Sequence, residues 1–131
     1  MVKWGSALLG VLLLASCGHT TVQGLRDHPV GMVRFDVAQA YQSVYHTIVT
    51  HAQTCYATWG PDSNLFPDTQ TGMIILSYRA GAPFKPMAIE VQALDASHTQ
   101  VSTYYGWRAW ETKARAVERW VRDTSNTACD I

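Results

Sequence analysis

The chain has 131 residues, room for one domain, and its ten basic and ten acidic side chains balance. That balance gives no basic surplus for nucleic acid and no acidic tail. Charged residues are sparse at 15%, against a usual figure of about 25%, while five Trp, six Tyr and three Phe supply material for a compact core.

Residues 1–16 stand apart from the rest. Lys3 is a lone positive charge, and Gly5 to Leu14 is an uninterrupted, mostly apolar run. A membrane span needs roughly 20 apolar residues, so this run is too short to cross comfortably and has the length of a signal-peptide core. Leu14, Ala15, Ser16 and Cys17 follow: one apolar residue, two small ones and a cysteine. In this order of charge, apolar run and box, the first 17 residues resemble the leader of the bacterial lipoproteins. The resemblance implies that the Cys17 thiol takes a diacylglyceryl group and that residues 1–16 are then removed. It also implies a membrane partner, through the lipid. Gly18 after the cysteine, rather than Asp, implies export to the outer membrane where the host has one, and otherwise the cell membrane. An ordinary secretory leader with an incidental Cys17 is the alternative.

Residues 17–28 are small and polar without periodicity, and read as a lipidated N-terminus and tether. The domain is expected to run from 29 to 131. Pro29 to Phe35 alternates weakly, as a short first strand would. Asp36 has the look of a helix N-cap, with Gln39 three residues on. From there Val37, Tyr41, Val44, Ile48, Ala52, Cys55 and Trp59 recur at three and four, the apolar face of one helix that Gly60-Pro61 ends.

Residues 60–72, punctuated by Pro61, Pro67 and Gly72, read as a loop. Met73 to Tyr78 is rich in β-branched and aromatic residues and predicts a strand. Met87, Ile89, Val91 and Ala93 alternate with Glu90 and Gln92; after a short polar turn, Val101, Thr103 and Tyr105 alternate again. The two runs predict a hairpin. Trp107, Trp110, Ala114, Val117 and Val121 then mark the inner face of a last helix. On its wet side Glu111 pairs with Arg115, and Glu118 with Arg122, at i,i+4. Together these elements predict an α+β domain, a three- or four-stranded antiparallel sheet against two helices, in the order (β)-α-β-β-β-α. The arrangement is similar to small periplasmic lipoprotein domains, a likeness of fold that licenses no activity.

Once Cys17 is modified, Cys55 and Cys129 are the remaining thiols. In an oxidising compartment they are expected to pair as a disulfide. The alternative is a reactive Cys55 activated by His51, one turn earlier. His46 and His51 are five apart and diverge around a helix, and His19, His28 and His98 are scattered. No metal, cofactor or catalytic residue is therefore assigned. No nucleophile motif is present and no paired carboxylates stand out, so nothing marks the chain as an enzyme.

Tyr104 to Trp110, "YYGWRAW", is the most distinctive internal stretch. Tyr104, Trp107 and Arg108 are the candidate binding surface within it, for a glycan, a peptide or the membrane interface. Arg108, Lys113, Arg115, Arg119 and Arg122 are nearby cations for acidic headgroups or glycans. In the structural reading, Trp110 belongs to the core and Trp107, at the strand-to-helix junction, to the surface. The expected function is that of a non-catalytic envelope lipoprotein facing the periplasm, binding another envelope protein or peptidoglycan. A small-ligand module or enzyme, with its site between sheet and helices, is the alternative.

Overall fold

The computed structural model describes residues 21–77 and 84–130. The leader 1–16, Cys17 and the expected strand end at Tyr78 lie outside the described residues.

The elements in chain order are helix α1 (Val22–Asp27), strand β1 (Gly31–Val37), helix α2 (Tyr41–Cys55), strands β2 (Asp62–Phe66), β3 (Thr71–Leu76), β4 (Met87–Ala93) and β5 (Thr99–Tyr105), and helix α3 (Glu111–Arg122). Short 3-10 turns, Ala57–Trp59 and Arg108–Trp110, precede β2 and α3. The strands form one antiparallel sheet in the order β1-β5-β4-β3-β2. From β2 to β5 it is a meander, and β1 returns to pair with β5.

The α+β class and the antiparallel sheet agree with the sequence reading; the element counts do not. The sheet has five strands, and three helices are described rather than two. The additional strand, β2, falls in the stretch expected to be a loop. Its sequence gives little sign of it, because β2 is an edge strand in which only Ser63 and Leu65 are half-buried. Pairing with β3 holds it, rather than its own propensity.

Asp36 is not a helix cap. Gly31, Val33, Phe35 and Val37 continue a period-two pattern, and β1 pairs with β5 along its whole length, so Asp36 is drawn into the strand opposite Gln100. Gln39 likewise does not reach back: its carbonyl accepts from Thr99 Oγ1 at 2.7 Å and its amide donates to the Val121 carbonyl at 3.2 Å. The apolar face of α2 therefore starts at Tyr41. Tyr41, Val44, Tyr45, Ile48 and Ala52 are buried, and Trp59 falls in the following 3-10 turn. Gly60 ends that turn at φ 50°, a left-handed conformation for which glycine has no steric penalty.

Both long helices lie on one face of the sheet, α2 over β3 and β4, α3 over β1 and β5. The layer between them is filled by Val44, Ile48, Ile74, Ile89, Val101, Val117 and Trp120, all fully or almost fully buried. Close approach of α2 is possible because residue 72 is glycine: a β-carbon there would lie 2.5 Å from Cδ2 of Tyr45. The α3 stripe is wider than the sequence suggests. Ala116 and Trp120 are buried beside the expected Ala114, Val117 and Val121. Trp110 is buried and Trp107 is 37% exposed, as expected of the two.

Cys55 and Cys129 are bridged, with Sγ atoms 2.07 Å and Cα atoms 5.4 Å apart. The bridge pins the tail over the helix layer, where Tyr56 Oη donates to the Cys129 carbonyl at 3.0 Å and Trp120 Nε1 to the Ala128 carbonyl at 2.7 Å. Burial, and then the charge of Asp130, push the Tyr56 hydroxyl well above the ordinary tyrosine range. His51 does not serve Cys55. Its ring stacks on Trp120 at 5.2 Å, and its nitrogens face the Thr47 and Asn126 carbonyls at 2.8 and 3.2 Å.

Residues 17–28 are not wholly a tether. Thr21 caps α1, its Oγ1 accepting from the Gly24 N–H at 2.9 Å. Leu25 is fully buried against Ala88 and Tyr104, on the face opposite α2 and α3. Burying a leucine contributes about 1.5–3 kcal/mol, enough to hold a six-residue helix that would not form alone. The signal is a single apolar residue whose partners lie more than sixty positions away, so no local pattern shows it.

Candidate binding surface

Side chains alternate across a sheet, so the strand registers sort the outer face into three cross-strand rows. The first row runs Met32, Tyr104, Ala88, Ile75, Asp62. The second is Arg34, Ser102, Glu90, Met73, Asn64, and the third Asp36, Gln100, Gln92, Thr71, Phe66. Successive rows lie about 7 Å apart along the strands. Helix α1 covers the middle of the first row, Ala88 and Tyr104, through Leu25. No residue of α1 lines the concavity of about 220 Å³ formed by Arg34, Phe66, Met73, Gln92, Gln100 and Ser102.

Within this surface Arg34 Nε donates to Ser102 Oγ at 2.9 Å, which fixes the guanidinium plane. Its terminal N–H groups have no partner among the described residues. Glu90 is held at the boundary with α1, accepting from Arg26 Nη2 at 2.8 Å and Nε at 3.2 Å. That pair is a third exposed on each side, so it orients more than it stabilises. Gln92 uses one amide hydrogen on the Ala93 carbonyl at 3.1 Å, and the Gln100 amide has no partner among the described residues. The surface therefore offers a guanidinium fork, two amides and hydroxyls, bordered toward the β2 edge by the apolar side chains of Met73 and the exposed Phe66.

Ser102 Oγ accepts from the Arg34 guanidinium, and Glu90 is its cross-strand neighbour in the second row. Asp36 and Glu90 stand two strands and one row apart, a backbone separation of about 12 Å. Glu90 is already engaged by Arg26.

The expected surface of Tyr104, Trp107 and Arg108 does not come together. Tyr104 and Tyr105 point to opposite faces; Tyr104 lies beneath Leu25 in the first row and also lines the outer-face concavity, apart from Trp107 and Arg108. Trp107 and Arg108 lie past the end of β5. There Trp107 packs on Phe84 at 4.5 Å; Phe84 meets Trp59 at 6.3 Å, and Trp59 meets Trp110 edge-on at 5.1 Å.

The α3 arginines border a wider hollow of about 630 Å³ against Val33. Their charge is largely matched, Arg115 by Glu111 at 2.6 Å and Arg122 by Glu118 at 3.0 Å. The interface between sheet and helices is packed with buried side chains. The described His residues are dispersed, and among the described residues no three His, Cys, Asp or Glu come together to hold a metal.

Sequence reading missed Arg34, Gln100 and Ser102. The alternation in β4 shows that Glu90 and Gln92 face away from the core, but only the long-range pairing of β1 with β5 sets Arg34 and Gln100 beside them. No protein-family model matches the chain, and no curated protein is significantly similar to it.

Proposed function

We propose that this chain is a lipid-anchored bacterial envelope lipoprotein, acylated at Cys17 and facing the periplasm. Its domain acts as a non-catalytic binding module for peptidoglycan. The leader and its Leu14-Ala15-Ser16-Cys17 box support the anchor. The disulfide supports an oxidising compartment. The observation that carries the binding reading is the uncovered outer face. A sheet normally buries both faces or leaves one simply solvated. Here rows two and three form a hollow lined by Arg34, Gln92, Gln100 and Ser102 on one side and by Met73 and Phe66 on the other. Polar groups set beside exposed apolar side chains suit an extended glycan or its acidic peptide stems.

Co-sedimentation with purified sacculi tests this. The protein is expected to pellet with them, and Arg34→Ala with Gln100→Ala to leave it in the supernatant with an unchanged circular-dichroism spectrum. Equal pelleting of the double variant, or none by the parent protein, overturns the assignment. A photo-crosslinker at Gln100 in intact envelopes that captured an envelope protein instead would make this face a docking surface for that protein.

A further inference from the structure

We infer that the row-one end of the sheet rests on the bilayer, with Trp107 at headgroup level; this rests on the reading of Cys17 as acylated. The argument begins with where the chain enters the domain. Thr21 caps α1, so the helix begins at a defined point. Leu25, four residues on, is buried on the first row. Thr21 therefore lies about 6 Å along the helix axis from that contact. Cys17 is four positions before Thr21, and four residues reach at most about 14 Å when fully extended. A lipid on Cys17 thus holds the bilayer within roughly 20 Å of Leu25, where a flexible tether up to residue 28 would leave the domain free to turn.

The surface at this end suits that position. Val30 is 54% exposed, Met32 42% and Trp107 37%, three of the five exposed large hydrophobics among the described residues. They share one end of the sheet: Val30 N–H donates to the Tyr105 carbonyl at 2.9 Å, Gly106 N–H to the Pro86 carbonyl at 2.9 Å, and Trp107 follows directly. Met32 stands in row one beside Tyr104, on which α1 is seated. Arg108 has no ion-pair partner among the described residues and is placed to meet acidic headgroups. Amphipathic rings and cations at such a boundary are the usual interfacial anchors. The occupant is the headgroup–acyl boundary of the same membrane that holds the lipid. Row three, about 13 Å further from it along the strands, stays open toward the periplasm.

The test uses the acylated protein reconstituted through its own lipid into phosphatidylglycerol-containing vesicles, with or without bromine near the headgroup end of the acyl chains. Intact mass is measured on the same sample. Trp110 and Trp120 are buried, so quenching reports on Trp107 and on the partly buried Trp59. Brominated vesicles are expected to quench part of the emission. Trp107→Phe, which keeps a ring against Phe84, is expected to lose most of that quenching. Leu25→Ser, which frees α1 and lengthens the tether, is expected to reduce it while the acyl mass stays the same. Equal emission in both kinds of vesicle from a fully acylated protein overturns the membrane contact and leaves the anchor standing. Quenching that persists unchanged in Trp107→Phe also overturns it. A mass showing no lipid on Cys17 overturns both readings together.

Discussion

Removing the Cys55–Cys129 bridge is a direct test of what holds so small a domain together. The bridged residues are 74 positions apart. On the chain-entropy model, closing a loop of that length in the unfolded chain corresponds to about 4.5 kcal/mol. Total stability for a domain of this class is about 5–15 kcal/mol, so the bridge accounts for a large part of it. The tail keeps other anchors when the bridge is gone: the Tyr56 and Trp120 hydrogen bonds to the Cys129 and Ala128 carbonyls, and Lys113 paired with Asp130 at 2.8 Å. These act on the folded state and leave the unfolded chain unrestrained. The comparison is between the oxidised protein and Cys55→Ser with Cys129→Ser, both carrying Cys17→Ser so that no free thiol exchanges. Unfolding in urea is followed by Trp emission. With a slope of about 1.5 kcal/mol per molar urea, the midpoint is expected to fall by about 3 M. The slope itself is expected to rise, because the uncrosslinked chain exposes more surface. A midpoint shift below about 0.5 M at unchanged slope would refute the reasoning and assign the tail's hold to its hydrogen bonds.

Trp110→Ala is expected to lose about 3–5 kcal/mol in the same assay, and Trp107→Ala less than about 1 kcal/mol; comparable losses would contradict the assignment of core and surface. Thr103 is fully buried and its Oγ1 has no hydrogen-bond partner among the described residues, so Thr103→Val is expected to stabilise the domain by about 1 kcal/mol, and a destabilised variant would mean that the hydroxyl is satisfied. The Tyr56 hydroxyl is raised above its ordinary value of 10.0 by burial. The unfolded chain therefore loses this proton first, so stability from this group is full below pH 10 and declines as pH rises above it. Urea midpoints measured from pH 9 to 11 should fall in the native protein and fall less in Tyr56→Phe; parallel curves would remove Tyr56 as the cause.

What was legible in the sequence was what a local pattern encodes. Tyr41, Val44, Ile48 and Ala52 repeat at helical spacing and are buried along α2; Met87, Ile89 and Val91 alternate and face the core. The turn of that hairpin is also local: Asp95 accepts from the Ser97 N–H and from His98, which hold its carboxyl below the usual range. The Cys55–Cys129 pair followed from compartment and number rather than geometry. What was not legible depends on distant partners. Asp36 reads as a cap until β5 is laid beside it, and Leu25 reads as part of a tether until Ala88 and Tyr104 form its seat. Arg34 and Ser102, 68 residues apart in sequence, become neighbours only through the same pairing. The candidate surface is built almost wholly from such contacts. The aromatic stretch from Tyr104 to Trp110 divides between Tyr104 at the margin of that surface, the buried Tyr105 and Trp110, and Trp107 at one end of the sheet.

The anchor is the claim on which the proposed address and orientation both depend, and intact-mass spectrometry of the protein extracted from bacterial membranes tests it most directly. The account predicts a chain that begins at Cys17 and carries diacylglyceryl mass on that residue. A protein that retains residues 1–16, or begins at Cys17 without added acyl mass, would contradict it.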